Sequence, residues 1–334
     1  MEYKPVVHVN KKHKISVVIV TYNQKEFIGK AVESVLNQTL RPYEIIICDD
    51  ASEDGTIGII RSYEEKYPGY IRVFVQKKHS GIAENKNMGL RHARGGLVTT
   101  LDGDDIFLPE KLEKEFSAYI ASSEAGIVYS NCYITNKDGK RLCLWAQANR
   151  RLPAGDVFKD IFTFSFPGAS YHNELVETEW FRRIGYIDPT LVIWEDWDFR
   201  LRLTKQLKVV YCQQPLWEYR QHQGGTHNRK FSLHFLMLCR IYKKNKNLLN
   251  DFSGFQQMIL KGTALSFIYA HKAYLLGEKK GIKESIKICA YRLAKSYYLL
   301  KLRPGDIYSY FSKETQALIR KFCNLRRTNE KSET

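Results

Sequence analysis

Two groups of acidic residues have the spacing to hold a cation beside a phosphate. Asp102-Gly103-Asp104-Asp105 follows the buried-strand pattern of residues 96–100, and Asp49-Asp50 follows a similar pattern at 44–48. Carboxylates this close repel one another unless a cation lies between them. Two of them held one residue apart can bind a hard divalent ion together with diphosphate oxygens. An Asp-x-Asp triplet alone is more commonly a solvated turn. The surrounding elements must therefore show whether this one is a metal site.

The first 110 or so residues alternate strand and helix patterns. Apolar runs predict strands at 15–20, 44–48, 71–75 and 96–100, and helical spacing predicts helices at 26–38, 57–67 and 81–94. The alternation predicts an α/β fold with a mostly parallel central sheet flanked by helices. The C-terminal ends of its first, second and fourth strands then face one crevice, where such sheets bind ligands. The residues expected there are Thr21, Tyr22, Asp50, Asp102 and Asp104.

Four ordered motifs resemble those of the family 2 glycosyltransferases, which are inverting enzymes with the GT-A fold. The motifs occupy residues 16–23, 32–39, 45–56 and 101–109, and the resemblance covers about residues 13–228. It implies a bacterial glycan-assembly enzyme of the hexosyltransferase type that takes a nucleotide sugar, commonly a UDP-sugar, and uses Mn²⁺ or Mg²⁺. It also implies that Thr21, Tyr22 and Asn23 contact the donor and that Asp50 binds the nucleobase. Asp104 would be the main metal ligand, with Asp102 near the ribose and the metal.

The sequence departs from the family pattern at two places. Ala51 stands where the family has Gly after the two acids, and Lys86 stands where it has Arg, next to Asn87, which we assign to donor binding. Lys keeps the charge but lacks the planar fork of Arg. The donor contacts of this helix, and with them the choice of nucleotide, therefore remain open.

A second acidic motif, Trp194-Glu195-Asp196-Trp197, opens a predicted amphipathic helix ending near Leu203. The partial positive charge at a helix start favours an ionised Asp196, which can then act as a general base. The resemblance matches Asp196 to the catalytic Asp of the family and lets Glu195 orient the acceptor. Trp194 could form an apolar wall for a sugar ring. The alternative is that both acids only cap the helix.

Two further segments resemble parts of the family's site. Gly168-Ala169-Ser170, after the strand-like stretch 162–166, corresponds to a small-residue loop beneath the donor sugar, where side chains would prevent close approach. Residues 219–226 correspond to the segment that returns a histidine to the metal, and we assign this role to His222, with His227 as the alternative.

Composition separates the chain into two parts. Lys and Arg number 31 against 29 Asp and Glu up to Arg229, but 21 against 7 from Lys230 onward, so +14 of the net charge of +16 lies in the last third. We predict a catalytic domain at 13–228, with its nucleotide-binding half at about 13–110 and its acceptor half at about 111–228. A basic, mainly helical region follows at 229–334. Seven cysteines without a paired motif, and no apolar run of the roughly 20 residues that span a bilayer, predict a cytoplasmic protein.

The basic region leaves several alternatives open. Residues 281–301 have one apolar stripe and a basic face, which could lie on the anionic inner face of the cell membrane or pack on the catalytic domain. Peripheral membrane contact would suit a lipid-linked acceptor in surface polysaccharide synthesis. A nucleic-acid-binding role has no supporting motif, so no nucleic acid partner is expected. A nucleotidyltransferase would carry a Gly-rich phosphate loop, which is absent, and a catalytically silent nucleotide-sugar-binding protein remains the third alternative.

Overall fold

The computed structural model describes residues 13–122, 125–146, 153–163, 173–222 and 231–275. The elements within these residues are, in chain order, β1 (Ile15–Thr21), α1 (Ile28–Leu36), β2 (Glu44–Asp49), α2 (Thr56–Lys66), β3 (Ile71–Val75), α3 (Ile82–His92), β4 (Leu97–Asp102), β5 (Ile106–Phe107), α4 (Lys111–Ala121), β6 (Ala125–Thr135), β7 (Arg141–Leu144), α5 (Phe158–Phe162), β8 (Leu175–Glu177), α6 (Thr178–Arg183), α7 (Glu195–Thr204), β9 (Lys208–Arg220), α8 (Phe231–Asn245) and α9 (Gly254–Leu275).

One mixed sheet joins the strands in the order β3-β2-β1-β4-β8-β6-β9-β5, and β7 pairs with β6. Pairing is parallel among β3, β2, β1 and β4 and between β6 and β9, whereas β8 runs antiparallel to both β4 and β6, and β5 to β9. The predicted α/β architecture, a central sheet flanked by helices, is confirmed. The short strand β8 is what joins the parallel N-terminal half to the rest of the sheet.

The central strands are continuous apolar runs because both of their faces are covered. All seven residues of β1 and all six of β2 are buried. Helix α1 places Ile28, Ala31, Val32 and Val35 on one buried stripe, which is the helical spacing of a face packed on a core. These side chains join those of β1, β2 and β4 in one hydrophobic cluster. The cluster fixes the ends of the strands on which the acidic residues lie.

Three strand ends meet at one edge of the sheet, as predicted. Thr21 at the end of β1 lies beside Asp49 at the end of β2, and Val20 lies beside Asp102 at the end of β4. The backbone N–H of Asp50 donates to the Thr21 carbonyl at 3.0 Å, and that of Gly103 donates to the Val20 carbonyl at 2.8 Å. The residues that follow the three strands therefore share one crevice.

The strand predicted at 162–166 is wrong at its beginning, because Phe162 ends helix α5. The Asp156 carboxylate accepts the backbone N–H of Phe158 at 3.2 Å and so caps this helix. Val157, Phe158 and Ile161 are buried at helical spacing, a pattern that the run of phenylalanines concealed. Residues 164–166, and Gly168 with them, lie outside the described residues.

Helix α7 begins and ends close to the predicted positions, but it is not amphipathic in the expected sense. It is buried on nearly every side, and its charged residues Glu195, Asp198 and Arg200 are buried as well. A helix with buried charges requires partners for each of them. Those partners belong to the site described below.

The described residues form two compact units, one lying within residues 13–161 and 173–222, and the other comprising residues 162–163 and 231–275. In the second unit α8 and α9 pack on each other, and a 3-10 helix at Lys246–Leu249 connects them. Within the part of the chain that the structure describes, no helix has the length and apolarity that crossing a membrane requires. The domain boundary near residue 228 and the basic helix at 281–301 fall outside the described residues, so both remain predictions.

Candidate active site

Asp50 is a buried anchor at the end of β2. Its Oδ1 accepts the backbone N–H of Ser80 at 2.7 Å, and its Oδ2 accepts that of Gly81 at 2.8 Å. The Nδ1 atom of His79 lies 2.9 Å from the same Oδ2. A carboxylate offers about four lone-pair positions, and two of them accept the backbone N–H groups of the loop that leads into α3. A lone-pair position is left for a base N–H of the kind that the family resemblance implies.

Two aromatic rings lie beside Asp50 at the surface. The rings of Tyr22 and His79 stack with their centroids 4.2 Å apart, and 42% of Tyr22 is exposed. Asn23, which has a left-handed φ of 50°, accepts the Glu53 backbone N–H through its side-chain oxygen at 2.9 Å. Tyr22 and His79 thus offer a flat surface for a nucleobase, whereas the Asn23 side chain connects two loops.

Gly103, between the two aspartates of the Asp-x-Asp motif, is closely packed, so a side chain there would require its neighbours to shift. A Cβ atom at this position would lie 2.5 Å from Gln24 Oε1 and 3.0 Å from Thr21 Cβ. The turn that follows β4 therefore packs directly on the turn that follows β1. This close approach brings the motif against Thr21 and Gln24.

Asp104 and His222 meet as predicted, although 118 residues separate them. His222 Nε2 lies 2.8 Å from Asp104 Oδ2, and both side chains are mostly buried. Arg220 holds this turn from behind, donating from Nε to the Asp104 carbonyl at 2.7 Å and from its backbone N–H to the Asp105 carboxylate at 2.9 Å. Burial, and then the neighbouring Asp104, raises the pKa of the Asp105 carboxyl well above its usual range.

A divalent ion fits the Asp104 and His222 pair. Two ligands at right angles around an ion at 2.1–2.2 Å lie about 3 Å apart, which is close to the 2.8 Å between the carboxylate oxygen and the imidazole nitrogen. Asp102 Oδ1 lies 3.3 Å from Lys86 Nζ, and a role for Asp102 as a metal ligand stays a prediction. The described residues contain no group of three acidic, histidine or cysteine side chains that could bind an ion alone. Oxygens of a donor diphosphate would have to supply the remaining ligands.

Lys86 is the central cation of the site and was missing from the residues assigned by sequence. Its buried ammonium lies 3.3 Å from Asp102 and 4.0 Å from Glu195. Burial alone would lower its pKa, but the charges of Asp102, Glu195 and Asp196 outweigh burial and raise it. Lys86 is therefore charged at every physiological pH, and it joins the acids of β4 to those of α7. The sequence feature that could have indicated this role is that Lys86 stands where the family has Arg.

Glu195 and Asp196 differ in environment although they are neighbours. Glu195 is buried, and burial, followed by the charge of Asp196, raises its pKa to about 7, against the opposing effect of Lys86. Asp196 is partly exposed, with 19% of its side chain accessible. Its Oδ1 accepts the Trp197 backbone N–H at 2.8 Å, and its Oδ2 accepts a hydrogen bond from Arg200 at 2.8 Å. Asp196 is the acid of this pair that a substrate can reach.

Two other residues assigned by sequence have structural partners. Both ends of the buried Asn87 amide bind the backbone of Ile187, at 2.7 and 3.0 Å. Trp194 precedes α7 with a left-handed φ of 61°, and its ring lies edge-on to that of Trp197, with centroids 5.9 Å apart. His227, the alternative to His222, lies outside the described residues.

A cleft beside Asp196 contains residues that no motif indicated. Its polar lining comprises Lys86, Thr99, Thr100, Asn173, Glu174, Asp196 and Arg200. Asn173 has a left-handed φ of 61°, and Lys111 and Thr99 both donate to its carbonyl at 2.8 Å. Its side-chain Nδ2 is buried and has no hydrogen-bond partner in the structure. Arg200, four residues after Asp196, could have been found from the helical spacing of the two charges.

Comparisons with known proteins agree with the family resemblance. The model for "Glycosyl transferase family 2" matches residues 16–185. An uncharacterized glycosyltransferase of Bacillus subtilis, YwdF, is 32% identical over 59% of this chain and 70% of its own length. A cholesterol galactosyltransferase of Borreliella burgdorferi is 29% identical over 87% of this chain and 89% of its own. The solved structure of residues 1–349 of TarS from S. aureus with UDP-GlcNAc has a TM-score of 0.55 at 16% identity, covering 84% of this chain and 92% of that chain. The likeness to TarS confirms the predicted GT-A fold.

Proposed function

Because this chain belongs to glycosyl transferase family 2 and is a glycosyltransferase, we propose that it moves a sugar from a UDP-sugar to a hydroxyl group of a glycan or lipid-linked acceptor, with inversion. The observation that carries the proposal is the position of Lys86, 3.3 Å from Asp102 and 4.0 Å from Glu195. One ammonium group thereby joins the acids of the predicted donor half to those of the predicted acceptor half.

The donor would bind with its base at the surface formed by Tyr22 and His79. Stacking on an aromatic ring stabilises a bound base by about 1–3 kcal/mol. The lone-pair position left on Asp50 would accept one base N–H, which suits the imide of uracil. The choice of UDP rests on TarS, whose structure is described with UDP-GlcNAc. Asn23 and Asn87 would act by shaping the surrounding loops, since their side chains bind backbone groups.

Members of the family generally use a divalent metal. We propose Mn²⁺ or Mg²⁺ here, with Asp104 and His222 as its protein ligands; when bound, the ion would neutralise the charge that develops on the departing diphosphate. Lys86, 3.3 Å from Asp102, would supply a fixed positive charge inside the site. Arg220 would hold the turn that presents Asp104.

Asp196 would be the general base. The acceptor oxygen attacks the anomeric carbon while the bond from that carbon to the diphosphate oxygen breaks. The electron pair of the broken bond leaves with the diphosphate, and the hydroxyl proton passes to Asp196. General-base catalysis of this kind contributes about 10²–10⁴-fold to a rate. Glu195, buried beside Lys86, would position the acceptor side of the site without taking the proton.

The acceptor assignment rests on the relatives. The cholesterol galactosyltransferase, which covers most of this chain, acts on a lipid hydroxyl according to its name. A lipid or lipid-linked acceptor would place the protein at a membrane surface as a peripheral protein on the cytoplasmic side. The basic residues from Lys230 onward provide the charge for such contact. A role in surface polysaccharide synthesis remains a prediction.

The test is release of nucleotide diphosphate from a panel of nucleotide sugars with Mn²⁺, with and without a chelator. The comparison includes Asp104→Asn, Asp196→Asn and, as a matched control, Glu110→Gln, which changes an exposed acid outside the site. We expect metal-dependent turnover of one donor that Glu110→Gln retains. Asp104→Asn should weaken both donor binding and turnover, whereas Asp196→Asn should lose turnover and keep donor binding.

Binding of each nucleotide is measured separately by calorimetry. A protein that neither binds nor turns over any member of the panel would overturn the proposed function. Donor binding without turnover in the presence of a broad acceptor mixture would instead support the silent binding protein. Turnover that survives Asp196→Asn would remove Asp196 from the mechanism while leaving the transferase assignment in place.

A further inference from the structure

Arg200 is a fully charged side chain that is almost completely buried next to Asp196. Only 2% of it is accessible, and it lies one helical turn after Asp196 on α7. Its NH1 group donates to Asp196 Oδ2 at 2.8 Å, while its Nε lies 3.4 Å from Glu174 Oε1. The guanidinium therefore connects two carboxylates that both line the cleft.

Packing alone does not account for a guanidinium at this position. Removing an arginine from water costs several kcal/mol, and an arginine does not lose its charge to relieve that cost. The nearby Arg202 has an evident structural task, since it donates to the carbonyls of Ile184, Gly185 and Tyr186 and pairs with Asp198. Arg200 instead directs its Nε and NH1 groups toward two acids of the cleft.

The contacts of Asp196 show what Arg200 does for it. One carboxylate oxygen accepts the Trp197 N–H and the other accepts the Arg200 N–H, both at 2.8 Å. These two bonds fix the rotation of the carboxylate about its last side-chain bond. A carboxylate held in one rotation presents its lone pairs in fixed directions, so the direction in which a proton can be accepted is fixed as well. The ammonium of Lys86, by contrast, lies nearest to Asp102 and Glu195.

We propose that Arg200 is a positioning residue for the general base: its hydrogen bond to Oδ2 holds the Asp196 carboxylate in one rotation, and Glu174 holds Arg200 in turn. This proposal rests on the proposed role of Asp196. Arg200 contacts neither the acceptor nor the donor in this proposal, so its loss should change the rate of the chemical step and leave donor binding intact. A planar fork is needed to reach both carboxylates at once, which a lysine cannot do.

The test compares kcat and donor affinity in Arg200→Gln and Arg200→Lys. We expect Arg200→Gln to lower kcat by about 10–100-fold, the range expected when a catalytic group is displaced by about 1 Å. Arg200→Lys should recover part of that loss, and the Kd for the donor should stay within about threefold in both variants. Arg183→Gln is the matched control, because Arg183 is an exposed helical arginine paired with Glu179 four residues away, and it should behave like the wild type.

A double-mutant cycle with Asp196→Asn distinguishes the possible failures. If Arg200 acts through Asp196, Arg200→Gln causes no further loss in the Asp196→Asn background. Independent, additive losses would overturn the proposal, as would wild-type kcat in Arg200→Gln. Wild-type turnover in Asp196→Asn would overturn the proposed base and the positioning role together. Donor affinity reports on folding in each variant, and a loss of donor binding in both Arg200 variants would show a structural role instead.

Discussion

Replacing Glu195 by Gln should change how the stability of the protein depends on pH. Burial raises the pKa of Glu195 from 4.5 to about 7. Between these values the folded protein binds a proton that the unfolded chain has released. The stability contributed by this carboxyl is therefore complete below about pH 4.5 and is lost as the pH rises to about 7. Glutamine has nearly the same shape and does not titrate.

The magnitude follows from the displacement of the pKa. One pKa unit corresponds to about 1.4 kcal/mol, so a shift from 4.5 to about 7 amounts to about 3 kcal/mol. We expect the difference in the free energy of unfolding, Glu195→Gln minus wild type, to rise by about this amount between pH 4.5 and 7.5. Titration of distant groups is common to both proteins and cancels in the difference.

Urea unfolding at half-unit pH intervals, without added divalent cations, measures this difference. Glu110→Gln is the control, since Glu110 is exposed and pairs with the partly exposed Lys114 four residues away; its difference from the wild type should be flat. A Glu195→Gln difference that changes by less than 1 kcal/mol across the interval would refute the reasoning. It would mean that Lys86 neutralises Glu195 fully and that burial costs the carboxylate nothing.

Three further substitutions test the geometry of the site. Ala51→Gly should raise the free energy of unfolding by about 0.5–1 kcal/mol in a thermal melt, because Ala51 has a left-handed φ of 64° that favours glycine; an unchanged or lower stability would contradict this. Gly103→Ala should lower stability by about 1–3 kcal/mol and weaken donor binding, since the new methyl would lie 2.5 Å from Gln24 Oε1; wild-type values for both would show that the Gln24 side chain simply moves away. Tyr22→Ala should weaken UDP binding in calorimetry by about 1–3 kcal/mol, with His79, whose ring stacks on Tyr22, left in place; unchanged affinity would place the base elsewhere.

Sequence patterns predicted the parallel half of the fold well because its strands are buried on both faces. The apolar runs at β1 and β2 are buried throughout. The ends of β2 and β4, which both pair with β1, located Asp50 and Asp102 on one edge. The strand predicted at 162–166 failed at its beginning because phenylalanines suit both a strand and a buried helix, and the hydrogen bond from the Phe158 N–H to Asp156 was the deciding signal. Local sequence distinguishes a strand from a buried helix only where it contains a clear helix-capping residue or a clear spacing of apolar residues.

Sequence motifs indicated side chains that the structure brings together, but not the contacts that depend on tertiary structure. The family pattern assigned Asp104 and His222 to one metal, and the two side chains are in contact, while their role stays a prediction. The family pattern did not indicate the role of Lys86, because its two carboxylate partners come from β4 and α7 and meet only in the folded chain. The sequence also did not indicate that Asp50 holds the loop at Ser80 and Gly81. Both partners of Asp50 are backbone N–H groups, so the residue types at these positions do not reveal the contact.

The contact between Asp104 and His222 has a consequence for biosynthesis. It spans 118 residues, and the pairing of β5 with the end of β9 spans a similar length. During synthesis, β1 to β4 have all left the ribosome long before His222 is made. A nascent chain can therefore have the ends of these four strands in place while it still lacks His222. Closing so long a loop is entropically costly and comes late in folding. If Asp104 and His222 hold the proposed metal, chains truncated before His222 should lack metal-dependent donor binding even where the first four strands are formed.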